Sequence, residues 1–184
     1  MTDCQDAGHL YHDFLSRNAN FLRQHLSHYP PEAFTNVEWA VNRVKMLGSP
    51  FNYFLFAKQT DSSITSPSQD PFTQDKKIIG VCGGFGIQSA QDQVETIEVG
   101  YALDEASCSK GIVSNTLRFV CELVFREAPS VQSIKIVCNS NNVKSMAVAN
   151  RLGFEFNEKL TRETSEREKV NLNVYLLPRC HVIQ

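Results

Sequence analysis

Apolar residues along this chain return with two different spacings, and the switches between them outline its elements. Between residues 9 and 28, Leu10, Phe14, Phe21, Leu22 and Leu26 recur at helical spacing. Pro30-Pro31 predicts the stop, because a proline ring cannot continue a helix. A second helix is predicted over 35–47, with Val37, Ala40, Val41 and Val44 on one side and Gly48 as its C-terminal signal. Tyr53-Phe54-Leu55-Phe56-Ala57 is apolar throughout, the mark of a strand buried on both faces. Strand patterns follow at 77–88 and 94–103. Helix 111–127 carries an apolar stripe of Val113, Leu117, Val120, Cys121 and Val124, with Arg118, Glu122 and Arg126 outside. Ser133–Cys138 reads as a strand, and Val143–Leu152 as a helix ending at Gly153. Two final strands, about 154–164 and 169–177, are joined by the charged turn Ser165–Glu168.

The order of elements predicts an α/β mixture with an antiparallel hairpin section. No internal repeat or boundary divides it, so residues 1–184 are expected to form one domain. Gln59 to Lys77 is rich in Ser, Thr, Asp and Gln and contains Pro67 and Pro71. It predicts a loop at about 59–77, a disordered hairpin tip or a functional lid. Gly80, Gly83, Gly84 and Gly86 leave room in the second strand for close backbone approach or a bulge.

Composition narrows the function classes. Apolar residues make up 42% and charged residues 21%, and the net charge is −2, so the basic footprint of nucleic-acid binding is missing. No apolar run is long enough to span a bilayer, and Met1–Leu10 lacks the features of a secretion signal. The six cysteines form no CxxC pair or metal-like spacing, so no metal is expected and a reducing cytoplasm fits best. Cys121 and Cys138 read as small core residues. His25 and His28 read as solvated, and Trp39, Phe34 and Phe51 as core. The charged residues around Glu163–Lys169 read as a solvated turn.

The chemistry gathers around two neighbouring segments. Ile97-Glu98-Val99-Gly100-Tyr101-Ala102-Leu103 is a strand with a carboxylate inside it. Ser107-Cys108-Ser109-Lys110-Gly111-Ile112-Val113 turns from that strand into a helix. A helix start presents unpaired N–H groups and the positive end of its dipole, a natural seat for phosphate. Cys108, at such a start, is expected to have a lowered thiol pKa. Further on, Asn142-Val143-Lys144-Ser145 opens a helix that runs to Ala149-Asn150-Arg151-Leu152-Gly153-Phe154. Here Asn142 suits an N-cap and Ser145 falls in the first turn.

Taken together, these segments resemble the GNAT superfamily of acetyl-CoA-dependent N-acetyltransferases. Within it they are most similar to the ribosomal-protein N-terminal acetyltransferases of the RimJ/RimL type. Arg17-Asn18-Ala19-Asn20-Phe21-Leu22-Arg23 and Lys77-Ile78-Ile79-Gly80 are similar to that branch as well. The resemblance implies a mixed, mainly antiparallel twisted sheet of about six strands, splayed at a V-shaped split and flanked by about four helices. Acetyl-CoA, a co-substrate, would lie in the split along Val99, Gly100, Tyr101, Ala102 and Leu103. Its pyrophosphate would meet Cys108, Ser109, Lys110, Gly111, Ile112 and Val113, with Asn139, Asn142 and Ser145 across from it. Glu98 is implied as general base, directly or through water, and Ser145 as the hydroxyl that protonates the departing thiolate.

Two positions depart from the family's phosphate turn: Cys108 stands where Gln or Arg is usual, and Val113 where a small residue is usual. The branch also begins with a strand, whereas only polar residues precede the first helix here. An uncovered sheet edge would then make a homodimer reasonable. The implied acceptor is a primary amine, foremost a protein N-terminus. A small-molecule amine (a polyamine or an antibiotic) stays open, and so does a non-catalytic acyl-CoA-binding domain on the same scaffold.

Overall fold

The computed structural model describes residues 4–26, 29–46, 51–57, 77–89, 95–164 and 168–181. The loop expected at about 59–77, the Gly48 helix stop, His28 and most of the 165–168 turn lie outside the described residues. No described helix is long and apolar enough to cross a membrane.

The first helix, α1 (Cys4–Arg17), begins earlier than the apolar spacing predicts. Gly8 explains the difference. There α3 (Val37–Met46) crosses so closely that a Cβ would stand 2.5 Å from Val41. The polar opening of the chain is thus helical because it packs. The continuous helix expected to residue 28 instead breaks at Asn18. That residue leaves helical geometry, and its side-chain amide donates to the Phe14 carbonyl and to the buried Asp104 carboxylate. A single turn, α2 (Ala19–Leu22), follows, and Pro31–Phe34 forms a 3₁₀ turn before α3.

Six strands form one sheet in the order β1-β2-β3-β4-β6-β5. They are β1 (Tyr53–Phe56), β2 (Ile78–Ser89), β3 (Glu95–Leu103), β4 (Val131–Asn139), β5 (Glu155–Glu163) and β6 (Lys169–Pro178). Every neighbouring pair is antiparallel except β3 with β4. Among the described residues no strand precedes α1, so the short β1 is one edge of the sheet and β5 is the other. β2 carries a bulge between Phe85 and Ile87, at the glycine the spacing flagged.

Alternation along β3 sends successive side chains to opposite faces. Ile97 and Val99 enter a core built with α4 (Ile112–Glu127) and α5 (Val143–Arg151), where Leu117, Val120, Ile134, Ile136 and Ala149 are buried. Ala102 faces the second core, around Tyr11, Phe14, Leu15, Phe34 and Ala40 beneath α1 and α3. The C-terminal end of α4 is closed from afar. Arg179 donates to the Phe125, Ala128 and Val131 carbonyls at 2.6–2.8 Å, placing a cation at the negative end of the helix.

Candidate active site

The parallel pair sets the position of the site. β3 and β4 pair from Glu95–Val131 to Val99–Ile136, with a register shift between Glu95 and Thr96, and then separate. Gly100 to Leu103 still pair with β2, but their other edge faces the gap. A cleft of about 510 Å³ opens there, between α4, α5 and the α2 region.

At one end of the cleft, β3 passes through a 3₁₀ turn (Glu105–Ser107) into α4. Ser109 (φ 62°) and Gly111 (φ 75°) both adopt left-handed backbone, and they line the cleft together with Ile112, Val113 and Ser114 of the first turn of α4. A Cβ at Gly111 would have ordinary space, with Asn115 as its nearest neighbour at 4.0 Å, so glycine is needed there for its φ alone. Buried Asp104 anchors the turn from beneath. It accepts from Asn18 at 2.5 Å and Arg17 at 3.2 Å, while the Glu105 N–H donates to the Asn18 side chain. The Arg17-Asn18 pair is therefore a tether between the first helices and the turn.

Basic side chains surround this end: Arg118, Lys144 and Arg151 all line the cleft. Arg151 also donates to Ser114 Oγ at 2.8 Å, tying α5 to α4. His25 lines the opposite wall, and its pKa is lowered, first by burial and then by the charge of Lys144. The Cys108 thiol behaves contrary to expectation. Burial raises its pKa; Lys144 opposes the shift, and Glu105 and Asp104 add to it. The thiol donates to the Asp104 carbonyl at 3.4 Å, so position at a helix start does not make it a thiolate.

At the other end, Asn142 caps α5 by accepting the Ser145 N–H at 3.0 Å. That bond holds Ser145 where its hydroxyl lies 2.6 Å from the Tyr101 hydroxyl, and the Cys138 thiol is hydrogen-bonded to the same serine. Burial raises the Tyr101 pKa above its ordinary value, partly offset by the Ser145 hydrogen bond, so the phenol stays protonated. The two hydroxyls are in contact at the cleft wall.

Glu98 lies deeper along β3. Its carboxylate pairs with Lys135 of β4 at 3.3 Å and does not line the cleft. It shares a face with Gly100 and Ala102, in steps of roughly 7 Å. Gly100 lines a separate cavity of about 130 Å³, whereas Ala102 lines the cleft.

Of the residues the resemblance implies, Tyr101, Ala102, Leu103, Cys108, Ser109, Gly111, Ile112, Val113, Asn142 and Ser145 come together on the cleft. Val99 is core, Lys110 is in the turn without lining the cleft, and Asn139 accepts the Asn141 N–H in a local turn. Sequence reasoning missed Arg118, which the stripe assigned to an outer face, and His25, which was read as solvated. It also missed Lys144, Arg151 and the side chain of Tyr101. A signal was available: Gly111, Ser114, Asn115 and Arg118 repeat at i, i+3, i+4, i+7 from the turn, as do Lys144, Ala147, Val148 and Arg151.

The sheet thus opens at its parallel pair, and a left-handed turn leads into a helix at the opening. Residues 4–155 match the acetyltransferase (GNAT) domain family, and the chain belongs to that family. It is a GNAT-type N-acetyltransferase enzyme. No curated protein matches it in sequence. Among solved structures, ribosomal-protein-S5-alanine acetyltransferase from Vibrio fischeri superposes with a TM-score of 0.72 at 18% identity, over 95% of this chain and 89% of that one. RimL, the ribosomal L7/L12 alpha-N-protein acetyltransferase, in complex with coenzyme A as a CoA–cysteine disulfide, gives 0.69 at 18% identity over 95% and 89%. The microcin C7 self-immunity acetyltransferase MccE, in complex with acetyl-CoA and AMP, gives 0.66 at 22% identity over 95% and 88%. These likenesses are of fold.

Proposed function

We propose that this enzyme moves an acetyl group from acetyl-CoA directly to a primary amine, foremost a protein N-terminal amine, in the cytoplasm. The observation that carries the reading is the cleft at the β3–β4 split. It joins an unpaired strand edge to a left-handed turn and a ring of basic side chains. The turn and Arg118, Lys144 and Arg151 suit phosphates. The free edge of Gly100–Leu103 suits an amide-bearing arm lying down as an added strand. Coenzyme A or acetyl-CoA in RimL and MccE, and the ribosomal-protein acceptors named for RimL and the Vibrio enzyme, point the same way. Cys82, Cys108, Cys121, Cys138 and Cys180 are free, as suits a reducing compartment.

Glu98 takes the proton of the incoming ammonium, directly or through a water. The amine nitrogen then bonds to the thioester carbonyl carbon, and backbone N–H groups near Val99–Tyr101 hold the oxyanion. The carbon–sulfur bond breaks. Ser145 gives its hydroxyl proton to the departing thiolate and is resupplied by Tyr101 at 2.6 Å, and the nitrogen's second proton, released to water, makes good the one that Tyr101 gave up. Products are the acetylated amine and free CoA thiol.

Thermal unfolding with acetyl-CoA, followed by thiol release with N-terminal peptides, tests the reading. A rise in melting temperature and amine-dependent thiol release are expected. No shift at millimolar acetyl-CoA refutes it. Glu98→Gln is expected to reduce turnover by about 10²-fold or more; turnover unchanged across pH would remove Glu98 from the base role.

A further inference from the structure

We infer that the cavity of about 130 Å³ beside Gly100 receives the substituent next to the acceptor's amine and selects an uncharged, apolar group no larger than one ring. The inference rests on the acetyl-transfer reading and concerns only which amines are taken.

Position is the first argument. On one face of β3 the order is Glu98, Gly100, Ala102: the base, the floor of this cavity, and the wall of the cofactor cleft. Among the described residues the cavity shares no lining residue with the cleft. A molecule seated on Gly100 therefore sits between the carboxylate and the acetyl donor without competing for the donor's seat. Glycine at that point lets an acceptor approach the strand itself.

Lining is the second. Tyr11, Tyr29, Val44, Tyr53, Phe54 and Val81 form most of the wall, and among the described residues no acidic or basic side chain joins them. The Tyr11 and Tyr29 hydroxyls bond each other at 2.9 Å. Burial raises the Tyr11 pKa well above the ordinary value and pushes the Cys82 thiol up to about 12, so neither becomes an anion that would attract a cation. Behind the wall, the Arg43 guanidinium lies 5.9 Å from the Tyr29 ring centre. Glu98, the carboxylate on this face, is engaged by Lys135. Among the described lining residues a second ammonium, as in a polyamine, meets no counter-charge, and an acidic substituent meets an apolar wall.

Size is the third. A dry apolar cavity of about 150 Å³ takes up benzene. At about 130 Å³, this one fits a branched aliphatic side chain or a small ring and excludes an indole.

The test uses the intact protein and tetrapeptides that differ only in the first residue (Gly, Ala, Val, Leu, Lys, Asp, Trp), with spermidine alongside. For the wild type, kcat/KM for Val and Leu is expected to exceed that for Lys, Asp, Trp and spermidine by tenfold or more. Val44→Phe, which fills the cavity, is expected to cut the Leu peptide by tenfold and the Gly peptide by no more than about twofold. Its acetyl-CoA thermal shift should be unchanged. Equal turnover across the panel, or preference for Lys or spermidine, overturns the inference while leaving acetyl transfer standing. So does a uniform loss in Val44→Phe. If acetyl-CoA gives no shift and no amine is acetylated, both readings fall together. The wild-type panel decides even if the variant does not fold.

Discussion

The smallest unit that matters here is a pair of hydroxyls. Ser145 is positioned by the cap that Asn142 gives to α5, so capping and the proposed proton donation are served by one local geometry rather than competing for it. The Tyr101 hydroxyl completes the pair, and its pKa is raised by burial from an ordinary 10.0. A donor whose pKa moves upward stays loaded as pH rises, so the rate of acetyl transfer is expected to show no alkaline loss from this group below about pH 10. Ser145→Ala should lower kcat by roughly 10²-fold, with little change in the KM for acetyl-CoA. Tyr101→Phe should have a smaller effect of the same kind. An equal loss in KM, or an alkaline limb near neutrality that vanishes in Tyr101→Phe, would contradict the relay. In stability the sign is also fixed. The unfolded chain ionises tyrosine at lower pH than the native one, so burial of Tyr101 and Tyr11 makes stability fall as pH climbs above about 10.

At the scale of elements, the turn that leads into α4 depends on a break in another helix. Asn18 interrupts α1 and reaches Asp104 beneath the turn, with Arg17 beside it and the Lys77 ammonium at 4.0 Å. Asp104→Ala leaves these groups without their shared acceptor. It is expected to cost about 3 kcal/mol and to lower the melting temperature by roughly 6–12 °C, with weaker acetyl-CoA binding. Thermal melts with and without the ligand measure both. A near-neutral substitution would mean that the tether does not support the turn. This network also marks where the sequence was and was not legible. Strand and helix patterns with a clear period, such as Val113–Val124 or Ile97–Leu103, carry their burial with them and were readable to within a residue or two. The break at Asn18 was not, because its cause is a carboxylate 86 residues away. Nor was the helicity of residues 4–8, which relies on α3 fitting against Gly8. In the site, backbone features of the turn were readable from Gly111 and the helix start. The contributions of Arg118, Arg151 and His25 depend on which helix faces the gap. The shift of Cys108 was misjudged because burial and two neighbouring carboxylates outweigh the helix end.

Across the molecule, one sheet separates two apolar cores, and the cleft is walled from both sides. Leu22 belongs to the core beneath α1 and α3, while Tyr101 and Val148 pack on the one beneath α4 and α5. Unfolding is expected to be a single transition. Acetyl-CoA at a hundred times its Kd should add about 2.7 kcal/mol and raise the midpoint by roughly 5–10 °C. Two transitions in calorimetry, with only one displaced by ligand, would show that the cores unfold separately. The guanidinium of Arg179 adds an ordering in time. The Phe125 carbonyl it binds is 54 residues upstream, so during synthesis the end of α4 waits for β6 to emerge and pair with β4. A chain arrested on the ribosome within β5 would already contain every residue that lines the cleft, yet lack the strand that seats Arg179. The pocket is inherited from the first five-sixths of the chain but locked by what is made afterwards.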